Sequence, residues 1–339
     1  MKRASVIALL VGLAIGVGVI AWVGAGTVAE SMRAAGWRVV LLAPMFIPSM
    51  ALAAWSWRLL LPRRAPGLGR TLGVMWISLG VAWLAPMGQI AAEVVKAMWA
   101  RGRGVPGSAA LASVVADKTV QVGTQIVLAL VGLALLAWVS SDAGAVAGAA
   151  IGLGVFALAV VGFMIAQARG MFRASAALAR GPLKRFATEA LHDKAGRADD
   201  AVRAVYADRR RLTLAALARL GFRLGLVIET YVALRLVGVE VGPARVLALE
   251  ALAQAVRAGA FLVPAGVGVQ EGAFVALGAA LGIPAPAALA VSLCKRTREL
   301  ILGVPALVAW QVYLGAPAKR SATNRSNADS TPSGSSSGG

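Results

Sequence analysis

Residues 4–29, 39–57, 71–92, 119–141, 143–168 and 272–294 are each free of Asp, Glu, Lys and Arg. A helix needs about 20 apolar residues to cross the hydrocarbon of a bilayer, and these runs approach or exceed that length. A soluble domain would break such runs with polar residues at helical spacing. The chain is 59% apolar and 14% charged, so the expected fold class is an all-α polytopic membrane protein.

The net charge of +19 reads, in that setting, as positive-inside topology and attraction to anionic inner-leaflet lipid. Nucleic acid is not an expected partner. Cys294 is the one cysteine and ends an apolar run, so no intrachain disulfide forms. His192 is the one histidine and falls in a polar segment, which excludes a His-based triad or zinc site inside the membrane.

The charges that do enter apolar sequence are arranged twice. Shifted by 178 positions, residues 82–119 fall on residues 260–297 without a gap, with 12 identities in 38 positions. Pro86 meets Pro264, Gly88 meets Gly266, Glu93 meets Glu271, Gly104 meets Gly282 and Pro106 meets Pro284. Asp117-Lys118 falls on Lys295-Arg296. Alanine richness does not account for aligned Pro, Gly and Glu, so the chain holds an internal repeat.

Each copy carries a Pro-x-Gly break that stops a helix and divides it into short halves. Placing the Lys/Arg-rich loops on one side of the membrane then predicts six full spans plus two re-entrant broken-helix hairpins as inverted repeats. The expected layout has a first membrane half over 1–168, with its repeat core at 71–139. A basic cytoplasmic loop follows over 169–211, with an interfacial helix at 171–186. The second half covers 212–316, with its core at 246–314, and a disordered tail covers 317–339. Both termini are expected in the cytoplasm. The stretch after Met1-Lys2-Arg3 resembles a signal peptide, but its apolar core is too long, so an uncleaved first helix is expected. Trp22, Trp37, Trp55, Trp57, Trp83, Trp99, Trp138 and Trp310 are expected to form an interfacial belt.

Ionisable groups at membrane depth are costly and face partners, cavities or pathways. The candidate substrate-binding residues are therefore Gly266, Gly268, Glu271, Lys295, Arg296, Arg298 and Glu299 in the second copy and Glu93, Lys96, Asp117 and Lys118 in the first. The Pro-x-Gly break frees backbone N–H groups at a half-helix start, where anions bind. Lys295 and Glu299, at i and i+4, are spaced to pair with each other. Glu250, Gln254 and Arg257 share a helical face, whereas their counterparts Leu72, Trp76 and Leu79 are apolar, so the second half is the expected headgroup side. For each cluster, structural charge pairing and a role at a cavity stand side by side. Glu229 sits in mid-span, and Arg219 and Arg223 are expected to snorkel near the start of their helix. No P-loop, dinucleotide fingerprint or metal-ligand cluster occurs, so no cofactor or metal is expected; Gly266–Gly272 is glycine-rich but follows no strand.

Two segments carry a family resemblance. Residues 264–272 read Pro-x-Gly-x-Gly-x-x-Glu-Gly and residues 295–299 read Lys-Arg-x-Arg-Glu. Both resemble segments of the lysylphosphatidylglycerol synthase transmembrane-region (flippase-like) family, and in particular its hopanoid-biosynthesis-associated branch. The resemblance implies movement of a lipid between leaflets of the bacterial inner membrane, with a hopanoid or related polar lipid as cargo. The soluble aminoacyl-transferase domain of bifunctional members is absent, which argues against lysyl transfer. The expected function is a lipid transporter and not an enzyme. The alternatives are an intramembrane enzyme using Glu271 as base and an accessory scaffold of lipid biosynthesis. The expected partners are membrane lipids; self-association and lipid-biosynthesis partners are compatible with the sequence.

Overall fold

The computed structural model describes residues 25–85, 88–140, 143–168, 189–259 and 266–329. Pro86, Pro264, the run at 4–24 and the interfacial helix expected at 171–186 lie outside the described residues. Among the described residues there is no strand, and the protein is an all-α polytopic membrane protein. The helices are α1 (Ala25–Ala35), a 3-10 turn (Gly36–Leu41), α2 (Leu42–Leu60), α3 (Leu68–Leu84), α4 (Gly88–Arg101) and α5 (Gly107–Val139). Then come α6 (Ala143–Ala168), α7 (Glu189–Ala207), α8 (Arg209–Leu236), α9 (Pro243–Gly259), α10 (Val269–Ala280) and α11 (Ala285–Asp329).

The exterior is apolar and the interior charged. Val127, Leu130 and Val131 of α5, Leu217, Leu224 and Ile228 of α8, and Val304 and Val308 of α11 all face outward. Lys96, Asp117, Arg219, Glu229, Glu250, Lys295, Arg298 and Glu299 are buried. This inverts the soluble pattern and suits a hydrocarbon surround, in which ionisable groups turn to the bundle interior. Val28–Leu60 and Gly107–Val139 each run 33 residues and are apolar enough to cross a bilayer.

The repeat in sequence is a repeat in structure. α4 and α10 both end in a glycine-closed turn, with Gly104 at φ 84° and Gly282 at φ 71°. Val105 N–H donates to Ala100 O at 3.1 Å and Ile283 N–H to Gly278 O at 2.8 Å. Gly104 N–H donates to Arg101 O and Gly282 N–H to Ala279 O, both at 3.1 Å. Each pair of bonds falls on the other after the 178-residue shift. The left-handed residue must be glycine, because a Cβ there is strained.

The two copies interlock. α3 packs on α11, and its counterpart α9 packs on α5, so the first arm of each hairpin lies on the long helix of the other copy. The same shift carries α2 onto the C-terminal part of α8. These two counterparts run antiparallel: Ser56 Oγ donates to Ala215 O at 2.9 Å, while Leu52 lies against Gly221 and Ser49 against Gly225. A two-fold axis that exchanges antiparallel helices is perpendicular to them, the relation found between inverted membrane repeats.

Three expectations change. The sequence pattern separates the uncharged runs at 4–29 and 39–57, yet from residue 25 onward no loop divides them: α1 continues through the 3-10 turn into α2 with Gly36 at φ 54°. Trp57, Trp83 and Trp99 are buried, not interfacial; Trp57 packs against Trp99 and Ser113, and Trp83 against Phe46 and Arg298. The tail expected to be disordered from 317 is helical through Asp329, because extending an existing helix adds a hydrogen bond for each residue ordered.

Small residues set the approach of α3 to α11. A Cβ on Gly80 would overlap Ala306 Cβ and lie 3.1 Å from Gly303 O. Gly80→Ala is expected to cost about 1–3 kcal/mol, the usual penalty of overpacking. It should lower the melting temperature in detergent, while Gly123→Ala, mid-helix and with nothing within 4 Å of its Cβ, keeps or raises it.

Candidate functional site

Two buried charge clusters form, one from each copy. In the first, Lys96 Nζ lies 2.5 Å from Glu93 and 2.7 Å from Asp117, and Lys118 lies 3.0 Å from Glu93. Arg219 of α8 reaches Asp117, and Gln121 Nε2 donates to the same carboxylate at 2.9 Å. All four first-copy candidates are therefore joined. Trp57 closes the cluster, its ring 5.6 Å from Lys96 Nζ.

In the second, Arg296 pairs with Glu271 at 2.9 Å and with Glu299 at 3.0 Å, and Arg257 pairs with Glu299 at 2.7 Å. Lys295 pairs with Glu250 at 2.7 Å and donates to Thr230 Oγ1 at 2.9 Å. Arg298 pairs with Glu229 at 2.9 Å, and its guanidinium lies 4.1 Å from the Phe46 ring and 4.9 Å from that of Trp83.

The clusters are counterparts with one inversion. Glu93–Lys118 and Glu271–Arg296 occupy equivalent positions and make the same ion pair. Lys96 and Asp117 also pair, whereas their counterparts are Phe274 and Lys295, with Nζ 5.5 Å from the ring. The second copy has exchanged an ion pair for a cation–π contact, which frees Lys295 for Glu250.

Several sequence expectations are corrected. Gly268 N–H does not stand free for an anion: Glu271, three residues on, caps it at 2.8 Å, and the Gly266 carbonyl accepts from Arg296 at 3.0 Å. Glycine is required at both positions, with φ 59° at Gly266 and 78° at Gly268. Lys295 and Glu299 do not pair with each other, since each finds a partner on α9. Arg219 and Arg223 do not snorkel; both are buried, against Asp117 and against Gln121, Thr124, Gln125 and Gln254. Their helix turns them inward because acceptors on α5 meet them there. Glu229, Thr230, Gln270 and Ser292 also belong to the second cluster. A mid-span carboxylate was the only sequence signal for any of these.

Between the copies lies a cavity of about 70 Å³, room for a few waters. Apolar side chains, among them Phe46, Leu79, Trp83, Phe222, Leu226 and Phe274, line it together with Glu250, Gln254, Arg257, Gln270, Lys295, Arg298 and Glu299. Glu93, Lys96, Asp117, Lys118, Glu271 and Arg296 are not among its lining residues. Among the described residues no group of three His, Cys, Asp or Glu side chains is placed to hold a metal ion.

A family model described as the lysylphosphatidylglycerol synthase TM region matches residues 9–306. No curated protein and no solved structure matches the chain.

Asp117 neutralises two buried cations, Lys96 and Arg219. Asp117→Asn keeps the shape and removes the charge. Breaking a buried pair costs about 3–5 kcal/mol, and a loss of that size is expected in denaturant unfolding of the reconstituted protein. A loss below about 1 kcal/mol, typical of solvent-exposed pairs, would show that water screens the cluster.

Proposed function

We propose that this chain, which belongs to the lysylphosphatidylglycerol synthase transmembrane-region family, carries a polar lipid from one leaflet to the other. Membership makes it a membrane protein of lipid biosynthesis or modification; passage across the bilayer is the reading its geometry favours. The observation that carries it is the cavity between the two copies, which is lined by charged and apolar side chains together. A headgroup meets the charged groups while its tail stays with apolar side chains and the surrounding lipid. At about 70 Å³ the cavity has room for only a few waters, so admission of a headgroup requires the copies to part. Rocking of one repeat against the other, with re-entrant hairpins meeting near the midplane, supplies that motion.

On this reading the cargo is a hopanoid or related polar lipid. The protein sits in a bacterial inner membrane with both termini cytoplasmic, and the basic segment 169–211 lies against anionic lipid. The protein is a carrier and not a catalyst, so lipid mass is conserved. Self-association and contact with lipid-biosynthesis enzymes are compatible with this role.

Liposomes made with native lipid extract test the reading, with leaflet distribution and mass of each lipid class followed together. The expected result is redistribution of one class at constant mass, abolished by Glu271→Gln or Arg296→Ala in proteins that still fold. Both substitutions unlock the brace that ties α10 to α11. A mass change without redistribution would replace the transporter with an enzyme. Transfer unchanged in both variants would remove these residues from the mechanism.

A further inference from the structure

A second cavity opens where the end of α2, the start of α5 and the corner between α7 and α8 meet. Its volume is about 250 Å³, against about 70 Å³ between the copies, and the two share no lining residue. Residues 59–62, Ala109 of α5, and Ala201, Ala204 and Val205 of α7 give it an apolar lining. Its charged lining residues are Asp208 and Arg211.

These two residues do not satisfy each other. Asp208 caps α8, its Oδ1 accepting from Arg211 N–H at 3.1 Å. Arg211 Nη2 donates to Leu61 O at 2.7 Å and so ties α8 to the end of α2. Among the described residues, Asp208 Oδ2 and Arg211 Nε and Nη1 enter no hydrogen bond or ion pair. Both residues are half-buried, and none of these atoms is among the sealed ones that lack a partner, so they remain accessible. Arg58, on the same turn, is taken up by the carbonyls of Pro62, Arg63 and Ala65. One carboxylate oxygen and one guanidinium edge therefore stand open beside an apolar slot.

Ordered water suits this lining poorly, because each molecule needs two to four polar partners and the slot offers them only at the α8 corner. Apolar walls suit a hydrocarbon chain, and opposite charges that are not paired suit a headgroup carrying both signs. We propose that this cavity holds a zwitterionic phospholipid with a primary ammonium group. One acyl chain lies in the slot, the phosphodiester accepts from Arg211, and the ammonium donates to Asp208. A guanidinium matches phosphate oxygens in geometry and charge, and an ammonium brings three donors to a carboxylate. A net anion would meet Arg211 but oppose Asp208. The cavity lies at the end of the bundle that carries Arg63, Arg64, Arg101 and Arg103, the cytoplasmic end in the orientation proposed above, so the inner leaflet supplies the lipid. The bound chain fills the seam between α7 and α2. It staples to the bundle a helix that Val202, buried, and Tyr206, donating to Thr119 Oγ1 at 2.9 Å, already hold. This lipid is a resident of the fold and not its cargo, so the site does not depend on the transport reading.

The test uses the full chain in neutral detergent. Dioctanoyl forms of phosphatidylethanolamine, phosphatidylcholine and phosphatidylglycerol, and the phosphate-free dioctanoylglycerol, are titrated at matched ionic strength. Melting temperature and amide hydrogen exchange are followed to saturation. The ethanolamine lipid is expected to bind tightest and to slow exchange in α7 around residues 201–205. Phosphatidylcholine, whose ammonium carries no N–H, is expected to bind more weakly. Asp208→Asn keeps the helix cap, since Asn caps as well as Asp, and removes the charge. It is expected to keep the lipid-free melting temperature and to bind the ethanolamine lipid about tenfold more weakly, the loss of one charged hydrogen bond. A purely structural Asp208 does not produce that pair of results. Arg211→Gln is expected to weaken all three phospholipids; if it does not fold, Asp208→Asn decides alone.

Tighter binding of phosphatidylglycerol than of the ethanolamine lipid, equal binding of dioctanoylglycerol, or an unchanged dissociation constant in Asp208→Asn would overturn the site. So would slowed exchange that leaves α7 out. Leaflet redistribution is read separately on the reconstituted protein. Asp208-dependent binding without redistribution removes the transport reading and leaves this site; redistribution without such binding does the reverse.

Discussion

A charge buried among apolar helices has to meet its opposite, and α8 is where both copies satisfy that demand. Arg219 supplies the cation for Asp117, while Glu229 supplies the anion for Arg298. Thr230 stands between Lys295 and Glu250. Arg223, one turn beyond Arg219, ties α5 to α9 through Gln125 and Gln254. A single helix thus couples the two charge clusters. Loss of a charge on it leaves a partner uncompensated elsewhere, which costs more than the pair itself contributes.

The repeat explains why there are two clusters, and its divergence explains why they differ. The pair Glu93–Lys118 and its counterpart Glu271–Arg296 brace equivalent half-helices against equivalent long helices. The cluster of the first copy also joins Lys96 to Asp117. In the second copy the corresponding places hold Phe274 and Lys295, and the released ammonium turns to Glu250. That exchange puts the Lys295 ammonium beside Glu250 in the lining of the inter-copy cavity, while α2, α3 and α8 contribute apolar side chains to it. A cavity of such mixed lining suits a molecule that is polar at one end and apolar at the other.

The chain displayed much of this in one dimension. The gapless shift of 178 positions named the equivalent glycines, and Gly104 and Gly282 do close the same turn. It also placed Glu93 and Lys118 over Glu271 and Arg296, pairs that are in contact in space. Other features were not legible. Arg219 and Arg223 stand near the start of a helix, where long cations usually reach for water; what turns them inward is Asp117 and the Gln121–Gln125 turn, about a hundred positions away in the chain. Lys295 and Glu299 have the spacing of an intrahelical pair, yet stronger partners on α9 take both. The half-helix start looked open to an anion until Glu271 proved to cap it.

By itself, the sequence determined the class of solvent, the helical content and the internal repeat. Those follow from run lengths, local hydrogen bonding and identities along the chain, all of which are local or self-referential properties. Tertiary structure alone decided which charge meets which, where a cavity remains, and which cation has no carboxylate. Ion pairs at depth form between whichever helices the packing brings together, and in low dielectric a separation of a few ångströms decides whether a charge is paired.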